Sequence, residues 1–282
     1  MRTLLWCALL ATACGGPIDT TTDASSGSID AGGADAAVAD GGDDAGSSDA
    51  GAEDGGAAAS PIAGAAHLVT VRTAAWDASN GTLRRYRRGA AGWEPVGAEI
   101  PIVLGRSGLG WGRGLHGEGA LPGLGGVDKR EGDGRSPAGA FPLGTSLGYA
   151  AEPPSGATVP YVAMTPTLQC VEDVASTQYN RIVDRATTPV DWTGDDRLRR
   201  SDGLYEWLVF VEQNVEPAPV PGRGSCILLH VWTDARSPTA GCTSMDRDAL
   251  AQLIVDLAPA DNVLVQLPED AYAALRDPWG LP

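Results

Sequence analysis

The 282-residue sequence lacks several patterns that mark common functional classes. It has no C-x-x-C or H-E-x-x-H pair, the short-spaced ligand sets of zinc sites, so we expect no metal site and no cofactor. It has no basic stripe, and its net charge of −16 argues against a nucleic-acid partner. It has no internal repeat, and no apolar run in it is long enough to span a bilayer.

The N-terminus has the features of an export signal. Arg2 precedes a short apolar run over residues 4–13, as in a secretory signal peptide. Leu10 and the small residue before Cys14 resemble a bacterial lipobox, which implies that residues 1–13 are removed and that Cys14 carries a lipid. Soluble export after ordinary cleavage stays open. We expect an exported, periplasmic protein with a lipid anchor in a bacterial membrane, the outer membrane in particular.

An acidic, low-complexity segment follows the signal. Residues 15–66 contain ten acidic residues, no Lys or Arg, and almost no large apolar side chains. Such a composition cannot bury enough surface to fold, and its like charges keep the chain extended. The sequence therefore predicts a disordered tether over residues 14–65 and one folded domain over residues 66–282.

Short apolar runs separated by Gly- and Pro-rich turns dominate the folded part. Strands are predicted at residues 67–73, 83–88, 100–104, 161–164, 205–211, 226–232 and 262–267, and helices at 245–258 and 269–275. Many short strands with little helix predict a mainly β domain, either a β-sandwich or a barrel-like structure, with a few peripheral helices.

Three cysteines lie in the folded part, and an oxidising compartment favours one disulfide and one free thiol. Cys226 and His230 are four residues apart on one predicted strand, about 13 Å, which is too far for a thiol–imidazole contact. Cys242 returns through a loop and has no such restriction. We therefore predict a Cys170–Cys226 disulfide and a free Cys242, with another pairing or an inert odd thiol left open.

The free thiol lies in a segment suited to nucleophilic catalysis, Thr239-Ala240-Gly241-Cys242, which ends twelve residues after His230. A catalytic thiol needs its pKa lowered by an adjacent base or by a helix N-terminus. His230 supplies the base, and Thr239, Ala240 and Gly241 are candidates to line an oxyanion site. The alternative is that Cys242 is a small buried hydrophobic residue.

A helix is predicted directly after this segment. Leu250, Leu253, Ile254 and Leu257 follow the i, i+3, i+4, i+7 spacing of an amphipathic helix. Thr243 or Ser244 would cap it, which would place Cys242 at its positive end.

Three stretches, in this order, resemble the YkuD-type L,D-transpeptidases, which are β-rich cysteine enzymes that cross-link peptidoglycan. Residues 129–141 (KREGDGRSPAGAF) resemble the GD-x-x-(S/T)P-x-G-x-F segment of the family. Residues 228–230 (LLH) resemble its histidine strand, and residues 239–242 (TAGC) resemble its (S/T)-H-G-C nucleophile loop. The resemblance spans about residues 67–267 and implies the catalytic domain of that family.

The resemblance implies a thioester mechanism on peptidoglycan stem peptides. Cys242 would attack a carbonyl at an L-centre, and His230 would take the thiol proton, its ring oriented by a backbone carbonyl near Val231. An acceptor amine would then resolve the thioester. The implied partners are stem peptides and, through a lipid on Cys14, a membrane; we expect a monomer.

Two positions depart from the family pattern and leave alternatives open. Ala240 stands where the family commonly has histidine, and Ser244 stands where it often has Arg or Asn. The same Cys/His pair could therefore serve an L,D-carboxypeptidase or hydrolase, or the protein could be a non-catalytic wall-binding lipoprotein. Asp133, between two glycines, is interpreted as a turn former and His116 as a structural loop residue.

Overall fold

The computed structural model describes residues 59–282. The predicted signal peptide, the lipid site Cys14 and the tether as far as residue 58 lie outside the described residues. Residues 60–65, which the composition assigned to the tether, instead belong to the fold. Ile62 and Ala65 are buried in the main core, and the Ser60 hydroxyl donates to the Trp279 carbonyl at 2.6 Å. The composition averaged over the whole acidic segment hides the few apolar side chains at its end. These side chains are buried because the main core offers them a surface to pack against.

Within residues 59–282 the chain forms fourteen strands and two α-helices. The strands are β1 (His67–Thr73), β2 (Asn80–Gly89), β3 (Gly92–Val103), β4 (Leu109–Trp111), β5 (Arg113–Gly114), β6 (Gly117–Glu118), β7 (Ser136–Gly148), β8 (Tyr161–Ala163), β9 (Leu168–Cys170), β10 (Ile182–Asp184), β11 (Trp207–Val211), β12 (Leu228–Val231), β13 (Thr243–Met245) and β14 (Asn262–Pro268). The helices are α1 (Arg247–Asp256) and α2 (Glu269–Trp279).

Eight of these strands close into a barrel, in the order β11-β12-β13-β3-β2-β1-β14-β7, with β7 pairing again with β11. The pairs β1/β14 and β12/β13 are parallel, whereas the other neighbours in the ring are antiparallel. Closure leaves no open edge in the ring. The prediction of a mainly β fold is confirmed, and the barrel is the form that the structure adopts.

The strand that closes the ring, β7, is absent from the predicted set. Its 13 residues include three glycines and two prolines, which sequence reasoning reads as turns. Gly139 within it has φ 132°, and a Cβ there would lie 2.0 Å from the imidazole of His116. The glycine therefore permits a close approach of strand and ring, and it is compatible with a strand because β14 and β11 both pair with β7.

The first helix begins two residues later than predicted. Met245 ends β13, and Asp246 is the N-cap, its carboxylate accepting from the N–H groups of Asp248 and Ala249. Neither Thr243 nor Ser244 caps the helix, because β12 and β3 recruit both into the barrel wall. α1 packs on β11 and β12, and α2 on β1 and β14. Neither helix of the described part has the length and hydrophobicity needed to cross a bilayer.

The two faces of β12 and β13 point into different surroundings. Leu229 belongs to the main hydrophobic core, whereas Leu228 belongs to a second, smaller cluster that also contains Leu208 and the cystine. Because side chains alternate along a strand, His230 lies on the face of Leu228. This second face carries the candidate site.

Candidate active site

The nucleophile loop, residues 239–242, is held by hydrogen bonds within itself and to the chain beside it. The Thr239 hydroxyl donates to the Cys242 carbonyl at 2.6 Å and accepts from the Gly241 N–H at 3.1 Å. The Thr239 N–H donates to the Leu104 carbonyl at 2.8 Å, and its carbonyl accepts from Arg106 at 2.9 Å. The loop conformation is thus set locally by one threonine side chain.

A second hydroxyl ties this loop to the upstream segment that carries the family resemblance. The Ser136 hydroxyl donates to the Cys242 carbonyl at 3.0 Å and accepts from the Gly105 N–H at 2.9 Å. A Cβ on Gly241 would lie 3.1 Å from the Arg135 carbonyl, so a larger residue would push the two segments apart. The two stretches are therefore parts of one site.

Cys242 itself lies directly before β13, four residues ahead of the N-cap of α1. The expectation that a helix N-terminus activates it is wrong, because the intervening residues form a strand of the barrel. The thiol donates a long hydrogen bond to the Cys226 carbonyl, with Sγ and O 3.7 Å apart. The residue is partly exposed and packs against the second hydrophobic cluster.

The surroundings raise the pKa of the Cys242 thiol to about 11, chiefly through burial. The Leu228 N–H and the charge of Lys129 lower the pKa, whereas the charge of Glu172 raises it. The sequence predicted the opposite direction. The resting residue is a neutral thiol, and nucleophilic attack requires a base that removes its proton during the reaction.

His230 has the protonation state that such a base requires. Its Nδ1 lies 2.7 Å from the Val231 carbonyl oxygen, which only accepts, so Nδ1 carries the hydrogen and Nε2 carries a lone pair. Burial lowers its pKa below the ordinary value of 6.5, so the ring is neutral at pH 7. The Val231 carbonyl occupies the orienting role that the family resemblance implies.

The barrel register sets the relation between the two residues. In the parallel pair of β12 and β13, His230 lies opposite Ser244. Cys242 precedes Ser244 by two residues, so the three side chains lie on one face. The described residues include no hydrogen bond between the thiol and the imidazole, since the thiol donates to Cys226 and Nδ1 donates to Val231. Proton transfer to the imidazole requires the thiol to give up its hydrogen bond to the Cys226 carbonyl.

Two cavities border this face. One, of about 190 Å³, is lined by His230, Thr239, Ala240 and Ser244. The other, of about 390 Å³, is lined by Cys226, Leu228 and a set of charged side chains. Tyr205 and Arg200 line both cavities.

Sequence reasoning missed Tyr205 as a site residue. Its ring lies edge-on to the His230 ring, with centroids 5.3 Å apart, and the Arg200 guanidinium lies 5.1 Å from its ring centroid. Burial raises the pKa of its phenol above 10, and the charge of Cys242 contributes next. The backbone beside it is anchored because the Val231 N–H donates to the Leu204 carbonyl at 3.0 Å. A tyrosine 25 residues before the histidine carries no local signal of this contact.

Cys170 and Cys226 form a disulfide with Cα atoms 5.8 Å apart, and Cys242 is the free cysteine among the described residues. This is the pairing expected from the sequence, although the argument placed Cys226 within a strand. It precedes β12, which begins at Leu228, and has a left-handed backbone with φ 54°. Its N–H donates to the Asn180 side chain at 2.8 Å, which helps to hold that conformation.

The remaining candidates have structural roles. The Asp133 carboxylate accepts from Lys129 Nζ at 2.7 Å and from the N–H groups of Arg130 and Arg135, which is the behaviour of a turn former. His116 lies among Trp111, Phe141 and Trp279, away from His230. Among residues 59–282 no group of three or more His, Cys, Asp or Glu is arranged to hold a metal ion.

The three residues predicted to line an oxyanion site differ in what they contact. Thr239 and Ala240 line the smaller cavity beside His230. The Gly241 N–H, however, is already donated to the Thr239 hydroxyl, and that hydroxyl is donated to the Cys242 carbonyl. These two groups hold the loop together, and their role toward a substrate stays a prediction.

Comparison with known proteins yields little. No family model matches the chain, and no curated protein matches it. A solved structure that matches is that of the helical cell shape determining protein Pgp2 from Campylobacter jejuni, with 14% identity, a TM-score of 0.32 and coverage of 74% of this chain. The chain spans about half, 52%, of the length of that structure. At this level of similarity neither a shared family nor a shared function follows.

Proposed function

We propose that this protein is an exported YkuD-type L,D-transpeptidase that acts on peptidoglycan stem peptides through a thioester on Cys242. The observation that carries the proposal is that Cys242 directly precedes β13, on the same face as His230 of the parallel neighbour β12, and that His230 lines a cavity with the nucleophile-loop residues Thr239 and Ala240. His230 adds the required tautomer, with Nδ1 bound to the Val231 carbonyl and Nε2 able to accept a proton.

The chemistry proceeds in two steps. In the first, Nε2 of His230 takes the thiol proton, Cys242 Sγ bonds to the carbonyl carbon, and the bond to the leaving D-amino acid breaks as its nitrogen takes that proton. In the second, an acceptor amine bonds to the same carbon, the C–S bond breaks, and the proton that the amine loses passes to the sulfur, which regenerates the thiol. No cofactor is consumed or required in either step.

Rigid support of the nucleophile favours this function over a passive role. Two hydroxyls, those of Ser136 and Thr239, donate to the carbonyl of Cys242. Both belong to stretches that resemble the family. Buried hydroxyls that converge on one carbonyl hold the cysteine backbone within the narrow tolerance that catalysis demands.

The proposed setting is the periplasmic face of a bacterial membrane, with a lipid on Cys14 as the anchor. The mass of the N-terminal peptide from protein expressed in a bacterium tests this part. A diacylglyceryl cysteine as the first residue is expected. An N-terminus after ordinary cleavage without lipid would replace the anchor with soluble export.

A carbapenem tests the catalytic proposal, because its strained β-lactam acylates a thiol that a neighbouring base can deprotonate. The full-length protein is incubated with the carbapenem and weighed intact beside a Cys242→Ala control. We expect one adduct on the wild type that the control lacks. Any adduct on another cysteine would appear in both proteins.

Equal masses for wild type and control, with Cys242 confirmed as a free thiol and the barrel folded, would contradict the proposal. That result would favour a non-catalytic wall-binding protein. Two observations keep this second candidate in view: the raised pKa of the Cys242 thiol and the absence of a thiol–imidazole hydrogen bond among the described residues.

Transfer and hydrolysis use the same first step and are separated by product. Muropeptides incubated with the enzyme are expected to yield cross-linked dimers, which carry a new amide bond. Accumulation of trimmed stems without dimers would assign an L,D-carboxypeptidase. Ala240, the departure from the family pattern that leaves hydrolysis open, lines the cavity beside His230.

A further inference from the structure

The larger cavity contains a carboxylate that the proposed mechanism does not use. Glu172 lies on the wall of the 390 Å³ cavity, and its side chain is exposed to solvent there. Within the described residues, no hydrogen bond or ion pair engages the carboxylate. A group in this position is reachable by a molecule that enters the cavity.

This cavity is walled in part by residues that contact the nucleophile. Its wall includes Cys226, whose carbonyl oxygen lies 3.7 Å from Cys242 Sγ. It also includes Leu228, whose N–H interacts with the same sulfur and lowers the pKa of the thiol. Glu172 and Tyr205 line this same cavity, and the charge of Glu172 raises the pKa of both Cys242 and Tyr205.

On the basis of the proposed function, we propose that the Glu172 carboxylate is the base that deprotonates the incoming acceptor when the thioester on Cys242 is resolved. Glu172 takes one proton from the protonated amine, and the neutral nitrogen bonds to the thioester carbon. The C–S bond breaks, and the second proton released by the nitrogen returns to the Cys242 sulfur through His230. With water as acceptor, Glu172 takes one proton of the attacking water, the C–S bond breaks, and the proton of the new carboxylic acid passes to the Cys242 sulfur.

The electrostatic surroundings suit a base that works near neutral pH. Although the residue is exposed, partial desolvation of its carboxylate by the cavity wall is the largest cause of a pKa raised to about 7; the charges of Asp196 and Glu131 raise this pKa further, and Lys129 lowers it. A base is most effective when its pKa lies near the working pH. The other charged groups that line the cavity are Asp195, Arg197, Arg199, Arg200 and Asp202.

The test separates the two half-reactions in the full-length protein. Cys242 is first acylated with a small donor, the phenyl thioester of N-acetyl-L-alanine, and the acyl-enzyme is weighed intact. Its decay is then followed with D-alanine as acceptor from pH 5.5 to 8.5. Glu172→Gln should transfer to D-alanine about 100-fold more slowly at pH 7.5, the low end of general-base effects, whereas its acylation should not slow, because loss of the Glu172 charge lowers the pKa of the Cys242 thiol.

Two further readouts distinguish a base from a structural residue. The wild-type transfer rate should fall below about pH 7, and Glu172→Gln should lack this limb. Asp196→Asn, a matched removal of a carboxylate from the same wall, should keep the limb but move it to lower pH, because the charge of Asp196 raises the pKa of Glu172.

The outcomes that overturn the inference differ from those that overturn the proposed function. Equal transfer rates for wild type and Glu172→Gln, or a pH limb that survives in the variant, would remove Glu172 as the acceptor base and leave the transpeptidase proposal intact. Equal slowing of acylation and transfer would assign the effect to the cysteine itself. Failure of the folded wild type to acylate with either the thioester or a carbapenem would overturn both proposals.

Discussion

At the scale of single residues, the candidate site combines an uncharged thiol on Cys242 with an uncharged imidazole on His230. Burial raises the pKa of the Cys242 thiol and lowers the pKa of the His230 imidazole, and both shifts disfavour the charged forms. A preformed thiolate–imidazolium pair is therefore not the resting state. The Val231 carbonyl compensates in part, because it leaves the lone pair of His230 on the nitrogen that can act as a base.

The lowered pKa of His230 predicts the pH dependence of acylation. The neutral ring is the active base, and it persists below its ordinary pKa of 6.5, so the carbapenem acylation rate should change little between pH 7.5 and 6.5 and fall at lower pH. His230→Gln should reduce the rate at least about 100-fold. Timed intact-mass measurements report both.

His67→Gln serves as the matched control, since His67 lies at the start of β1, outside the site. It should acylate at the wild-type rate. A wild-type profile that already declines above pH 7, or an unimpaired His230→Gln variant, would contradict the assignment of His230 as the base.

At the scale of elements, the nucleophile loop depends on one side chain that links both of its ends. The Thr239 hydroxyl bonds the Cys242 carbonyl and the Gly241 N–H. Thr239→Val keeps the shape but leaves the Gly241 N–H without its partner and the Cys242 carbonyl with the Ser136 hydroxyl alone, at a cost of about 1–3 kcal/mol in the free energy of unfolding. A displaced nucleophile should also lower the carbapenem acylation rate about tenfold or more.

Thr239→Ser retains the hydroxyl and is the matched control for this prediction. It should remain close to wild type in urea unfolding and in acylation. Wild-type acylation by Thr239→Val would show that the hydroxyl does not position the cysteine.

The elements also mark where sequence reasoning succeeds. β1 begins and ends as predicted, at His67 and Thr73, because it is a short run rich in β-branched residues, which favour strands. β7 escaped notice because its glycines and prolines resemble a loop, and β13 because three residues carry too little periodicity. Both strands exist because neighbouring strands pair with them.

At the scale of the whole molecule, an aromatic cluster around His116 links strand β7 to helix α2. The His116 ring lies 5.5 Å from the Phe141 ring and 6.0 Å from the Trp279 ring, measured between centroids. Its Nδ1 accepts from the Ala140 N–H at 3.1 Å, and its buried Nε2 has no partner among the described residues. The ring must therefore remain neutral.

This buried histidine predicts acid-sensitive stability. Burial lowers the pKa of His116 from 6.5 to about 4, so the unfolded chain binds a proton in this window that the folded barrel excludes. The contribution is complete above pH 6.5 and is lost as the pH falls toward 4, up to about 3 kcal/mol. Urea unfolding measured at intervals from pH 7 to pH 4.5 should show this loss in the wild type.

His116→Gln removes the titrating group while an amide oxygen can still accept from Ala140. Its stability should depend less on pH across the same window, whatever its stability at pH 7. Parallel curves for wild type and variant would contradict a role for His116 in the acid response.

The sequence by itself determined the class of fold, the histidine on an apolar strand and the cysteine pattern, because these follow from local periodicity and from counting thiols. Only the tertiary structure decided that β7 closes the ring and that Cys242 precedes a strand rather than a helix. It also decided that burial raises the pKa of the Cys242 thiol and that Glu172, seventy residues earlier in the chain, lines a cavity with Cys226, whose carbonyl accepts from that thiol. Burial and proximity arise from strands that pair across long separations, and no short window of sequence contains that information.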